Sequence, residues 1–113
     1  MLLLAGTAAA HLFLAFGRDE VDPRVPMRRA ARAIAGLLRA PIVVFGHSHV
    51  PVIDRIPRGG WYFNTGTWVG GPKAARSFTH LVAERTARGV RAALCQWRDG
   101  RSWELRAEEV RTR

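Results

Sequence analysis

The residues with most capacity for chemistry lie in one stretch, "VVFGHSHVP" at 43–51, where two of the chain's four histidines stand two positions apart behind an apolar run ending in glycine. Neutral imidazole binds borderline divalent metals well, and Gly46 removes a side chain that would crowd a coordination sphere. The i, i+2 spacing lets His47 and His49 reach one cavity, on one ion or on two neighbouring ions. Ser48 between them is small enough to block neither. The competing reading is a pair of polar residues in a turn. Shuffling four histidines through such a chain gives a pair two apart in roughly one case in ten, so the spacing alone does not decide. A catalytic metal usually takes three protein ligands, and the chain has no Asp-x-His and no Glu-rich cluster to complete a set.

Around this stretch the sequence spells out the elements that would position it. "DEVDPRVPMRRAARAIAGLLRAP" predicts a helix: Asp22 can cap it, Pro23 and Pro26 suit its first turn, and Met27, Ala30, Ile34, Leu37 and Leu38 share one face. Arg28, Arg29, Arg32 and Arg39 fall mostly on the other face. Pro41 ends the helix, and "IVVF" at 42–45 reads as a short, wholly buried strand. Beyond the histidines, "VPVIDRI" and "WYFNTGTWV" form two strand-like runs joined by "PRGG", whose Pro57, Gly59 and Gly60 supply hairpin geometry. "SFTHLVAE" and "GVRAALCQW" alternate as a further pair, with Gly89 near their connection and "RDGR" at 98–101 as the next turn. The tail "SWELRAEEVRTR" can begin as a strand or short helix, and its charge predicts fraying. One main helix followed by four or five mostly antiparallel strands, with a parallel-type entry at 42–45, makes the fold class α+β.

Composition sets outer bounds. A chain of 113 residues, 48% hydrophobic and 24% charged, holds one globular domain with one core. The net charge of +9 comes almost wholly from arginine, since Lys73 is the only lysine. Such a balance favours phosphate-bearing or membrane-surface partners. The arginines are dispersed without a block of five or six, which argues for a solvated basic surface over a nucleic-acid arm. Cys95, the single cysteine, excludes an internal disulfide and reads as a buried, inert thiol. Residues 1–17, "MLLLAGTAAAHLFLAFG", are apolar apart from Thr7 and His11, at the short limit for a membrane span and without the basic start of a secretory signal. They read either as a membrane-associated helix or as an internal helix of a longer protein.

The combined pattern "IVVFGHSHVPVIDRIPRGGWYFNTGTWV" at 42–69 resembles the closing motif of the calcineurin-like metallophosphoesterases: a buried strand, Gly-His-Thr/Ser-His, a hairpin, and a strand ending Asn-Thr-Gly-Thr-Trp. The resemblance implies the C-terminal part of a layered α/β/β/α sandwich, with residues 1–113 a partial domain and 1–17 an inner helix or apolar insert. It implies a hydrolase using two divalent ions, such as Mn, Fe or Zn, on a phosphorylated small molecule, nucleotide or lipid in the cytoplasm. His47 would bind the metal that also takes an asparagine, and His49 the metal held by an Asp-x-His. Gly46 would admit them, Ser48 stands where Thr is commoner, and Asn64, Thr65 and Gly66 would support the site from beneath. The family's Asp-x-His, Gly-Asp-x-x-Asp and Gly-Asn-His-Asp/Glu motifs are missing, so this chain is expected to be inactive by itself.

The remaining candidates are structural on their own residues. His80 in "SFTHLV" fits a hydrogen-bonded strand histidine, and Trp61, Tyr62, Phe63 and Trp68 fit a core more readily than a stacking platform. Two rivals to the enzyme reading stay open: a basic module binding single-stranded nucleic acid, and a membrane-associated interaction module anchored by residues 1–17.

Overall fold

The computed structural model describes residues 22–46, 48–69 and 76–111. The apolar segment 1–17 and His47 lie outside the described residues. Helix α1 spans Arg24–Leu38. Its start uses Asp22, whose carboxylate accepts the Arg24 backbone N–H at 3.0 Å and pairs with the Arg24 side chain, although Pro23 holds the N-cap position itself. The hydrogen bond from the Arg24 guanidinium holds the Asp22 carboxyl below its ordinary range. At the other end Arg39 turns the chain through a left-handed conformation, φ 51°, and Pro41 follows.

The buried face of α1 is Ala31 and Ala35, with Met27 and Ile34 packed beside them. That corrects the expected face in part. Leu37 is 83% exposed and Leu38 74%, and Ala30 also faces solvent. Leu37 stands about 200° around the helix from Ala35, so the two alanines cannot be buried with it. Small side chains at 31 and 35 bring the helix close to the sheet beneath, and the leucines are left outside.

That sheet has the order β1-β3-β2, from strands β1 (Ile42–Phe45), β2 (Pro51–Ile56) and β3 (Gly60–Thr65). β1 runs parallel to β3, pairing Val43 with Tyr62 and Phe45 with Asn64, and β2 runs antiparallel to it. Strand alternation sorts the side chains: Val43, Phe45, Val52, Ile56 and Tyr62 join the cluster under α1. Ile42, Ile53, Trp61 and Phe63 point the other way, into a second cluster with Leu81, Leu94 and Leu105. β1 is an edge strand, and its Val44 is 41% exposed, so the expectation of a wholly buried strand is corrected. The β2–β3 connection uses the predicted glycines: Gly59 has φ 77°, and a Cβ on Gly60 would lie 2.8 Å from the Pro41 carbonyl oxygen.

The second sheet is a meander, β4 (Thr79–Thr86), β5 (Gly89–Arg98) and β6 (Arg101–Glu104), antiparallel throughout. Asp99 and Gly100 both have positive φ, the two-residue hairpin turn that an Asp-Gly pair favours. The described residues therefore hold six strands where four or five were expected, and the extra one is β6 in the tail. The tail does not fray through residue 111: helix α2 (Ala107–Arg111) follows β6 and places Ala107 and Val110 against the second cluster. The run 61–69 is shorter as a strand than expected, because Gly66 at φ 65° ends the pairing after Thr65. The chain is thus α+β, with one main helix and two small sheets rich in antiparallel pairs. Among the described residues no helix is long and apolar enough to cross a membrane.

Leu94 is completely buried where the sheets meet. Leu94→Ala should lower unfolding free energy by roughly 2–5 kcal/mol in urea titrations. Leu37→Ala, on the exposed side of α1, should change it by less than about 0.5 kcal/mol.

Candidate functional site

Because β1 and β2 flank β3 on opposite sides, the chain leaving β1 must cross the C-terminal end of β3 to begin β2. Gly46 at one end and residues 48–50 at the other are the described part of that crossing, and in the sequence this stretch holds the glycine, the serine and the histidine pair. Its anchorage is visible at both ends. Asn64, with no exposed surface, directs its side-chain amide at the Gly46 carbonyl oxygen (3.4 Å) and at the Tyr62 hydroxyl (3.4 Å), with the Met27 sulfur at 3.8 Å. Its Oδ1 accepts the Gly66 backbone N–H at 3.0 Å. The Thr65 hydroxyl donates to the Phe45 carbonyl at 3.5 Å. On the β2 side, the Ser48 hydroxyl donates to the Val50 carbonyl at 3.1 Å and closes a local turn.

Gly66 is fixed by conformation and by space. At φ 65° a Cβ would meet Thr79 Oγ1 at 2.8 Å and Pro51 at 3.2 Å. The Thr79 hydroxyl donates to the Thr65 carbonyl, and Phe78 N–H donates to the Thr67 carbonyl at 2.7 Å. These contacts join the end of β3 to the start of β4, and so tie the second sheet to the same corner. Thr79 and Tyr62 were not assigned to this neighbourhood from sequence, since a hydroxyl in an alternating strand does not announce the segment it meets.

His49 is exposed, with φ 56°. Four other described non-glycine residues also have positive φ, among them Arg39 and Arg58, so the conformation alone does not single it out. Its place on the crossing loop does. The structure thus brings Gly46, Ser48, His49, Asn64, Thr65 and Gly66 to one edge. Among the described residues no group of three or more His, Cys, Asp or Glu side chains is arranged to hold a metal ion. The described donors at this edge consequently do not make a closed cage. A cavity of about 260 Å³ opens beside Val50 and Pro51, against Arg24 and Arg28 of α1. Both arginines have acidic neighbours: Arg24 has Asp22 at 2.8 Å, and Arg28 Nε lies 2.5 Å from Asp54.

The other candidates sit elsewhere. His80 is hydrogen-bonded to Ser102 Oγ through Nε2 at 2.7 Å, as a structural strand histidine. Tyr62 and Phe63 are core, and Trp61 is half-buried with Arg55 over its ring at 3.8 Å. Trp68 corrects the core expectation: it is 58% exposed, packed edge-on to Phe78, and its Nε1 donates to the Thr79 carbonyl at 2.8 Å. Cys95 is buried, and desolvation, helped by Glu104, pushes its thiol above the ordinary value. The native thiol should resist iodoacetamide at pH 8, where a denatured sample reacts readily.

Asn64→Ala would leave the Gly46 carbonyl and the Gly66 amide without their side-chain partner. It should cost about 1–3 kcal/mol and speed exchange of the Gly66 amide hydrogen. An unchanged urea midpoint would remove Asn64 from this anchoring role. Compared with family models, curated proteins and solved structures, the chain finds no significant match.

Proposed function

We propose that the crossing loop is one edge of a two-metal phosphoesterase centre, with His47 and His49 each contributing an imidazole to a different ion. The observation that carries this reading is the anchored loop itself. A Gly-His-Ser-His sequence leaves the C-terminal end of a β-strand, and a buried asparagine of the neighbouring strand binds its first carbonyl. Open strand ends of this kind are where α/β layers commonly place ligands. On this reading α1 and the two sheets belong to a layered α/β/β/α domain of the calcineurin-like type. Gly46 keeps the loop narrow, while Asn64, Thr65 and Gly66 hold its base.

Two divalent ions, when bound, would supply a water of lowered pKa and charge stabilisation for in-line displacement at phosphorus. The chain's own part is to hold and orient. The carboxylates that would bridge and complete such a centre are absent from the sequence motifs, so residues 1–113 are a contributor to the site and not a sufficient enzyme. A base-stacking module fits less well, since of its four aromatic candidates Tyr62 and Phe63 are buried, Arg55 covers Trp61, and Trp68 alone is mostly exposed.

The test is metal binding on variants that keep the fold. Titration of residues 1–113 with manganese or zinc should show weak binding that His47→Ala and His49→Gly each abolish. His49→Gly should also hold or raise stability, by up to about 1 kcal/mol, because glycine takes the left-handed backbone without strain. Binding undiminished in both variants would sink the ligand assignment. Manganese-dependent hydrolysis of bis-p-nitrophenyl phosphate by this chain at an ordinary enzymatic rate would overturn its insufficiency.

A further inference from the structure

The opposite end of β1 carries a second feature, independent of the histidine loop. A cavity of about 410 Å³ lies between the last turn of α1 and the β2–β3 connection, floored by Ala35, Pro41, Pro57 and Gly60 and flanked by Arg39 and Arg58. Both arginines are exposed and adopt the left-handed backbone, φ 51° and 64°, a conformation uncommon outside glycine. Among the described residues no carboxylate lines the cavity. Arg24, Arg28, Arg91 and Arg98 each have an acidic side chain within 4 Å, whereas no ion pair among the described residues uses Arg39 or Arg58, nor Arg29 or Arg32 of the same helix; what sets Arg39 and Arg58 apart is that they flank one cavity. The carbonyl end of α1 contributes only about half a negative charge, which two guanidinium groups outweigh.

Immediately before Arg39, Leu37 and Leu38 project into solvent, 83% and 74% exposed. Two adjacent large apolar side chains beside a pair of cations with no acidic neighbour form an amphipathic tip, and an anionic bilayer is the surface with complementary chemistry on both counts. We propose that the C-terminal tip of α1 docks the protein on anionic phospholipid membranes. A headgroup phosphate sits between Arg39 and Arg58, and Leu37 and Leu38 enter the boundary with the acyl chains. Guanidinium suits this task because it remains charged and can offer two parallel hydrogen bonds to phosphate oxygens. The four side chains are exposed, so replacing them leaves the core intact.

The experiment is cosedimentation of the full chain with vesicles of phosphatidylcholine, with and without about a third phosphatidylserine. Binding should require the anionic lipid and weaken with salt. It should fall about tenfold or more in the Arg39→Gln/Arg58→Gln variant, and by a similar factor in the Leu37→Ser/Leu38→Ser variant. Circular dichroism should show both variants folded. Binding that neither pair reduces would overturn the proposal, placing attachment elsewhere in the chain. Displacement by millimolar inorganic phosphate at constant ionic strength, with no effect of the leucine variant, would also overturn it and leave a free-phosphate pocket.

Discussion

The carboxamide of Asn64 is the interaction on which the ordering of this fold's working edge depends. A buried amide has to find partners for both its donors and its acceptor, because leaving one unmade costs about as much as a typical core truncation of modest size. Asn64 meets that demand with groups from two segments: the Gly46 carbonyl at the exit of β1, and, on and just after its own strand, the Tyr62 hydroxyl and the Gly66 amide. The loop after β1 is therefore held from beneath, by the one strand that β1 and β2 share as a neighbour. Hydrogen bonding here does more than stabilise. It fixes where a four-residue strand stops and in which direction the following loop departs.

Gly66 extends the same constraint to the other sheet. With its amide taken by Asn64 and no room for a Cβ beside Thr79 and Pro51, it makes a corner at which β2, β3 and β4 meet. The second sheet then packs Leu81 and Leu94 on the face of the first that α1 does not cover. Local conformation and core packing are coupled through one residue: a side chain at 66 would strain the backbone and would also push apart two elements. The edge that carries the histidines and the packing of the two sheets are consequently not independent modules.

Much of this could be read from residue order, and the failures have physical causes. Periodicity, prolines and glycines located α1, the five strand runs and three turns, because those signals are local. They placed Met27 and Ile34 on the packed face but extended it to Leu37 and Leu38, which outrank Ala31 and Ala35 in hydrophobicity, while the sheet selects small residues where the helix comes close. They also overestimated the burial of Val44, because an apolar run does not say whether its strand is central or on an edge. At the site, the crossing loop and its supporting Asn-Thr-Gly were legible as a pattern. The partners of Asn64 were not: Gly46 reaches it only through the pairing of β1 with β3, and Met27 only through the packing of α1.

Charge pairing gives the two ends of β1 different chemical characters. Near the crossing loop Arg24 and Arg28 sit beside Asp22 and Asp54, so that cavity has little net attraction for an anion from these side chains alone. On the proposed reading, cations held by the histidines would be what draws a phosphate to that edge. At the α1 tip no carboxylate among the described residues lines the cavity of Arg39 and Arg58, so their charge is not offset there. A net charge of +9 is therefore a poor guide to where anions bind. What matters is where the fold sets arginines together around a cavity without a carboxylate, and along α1 the paired Arg24 and Arg28 lie at one end and Arg39 at the other.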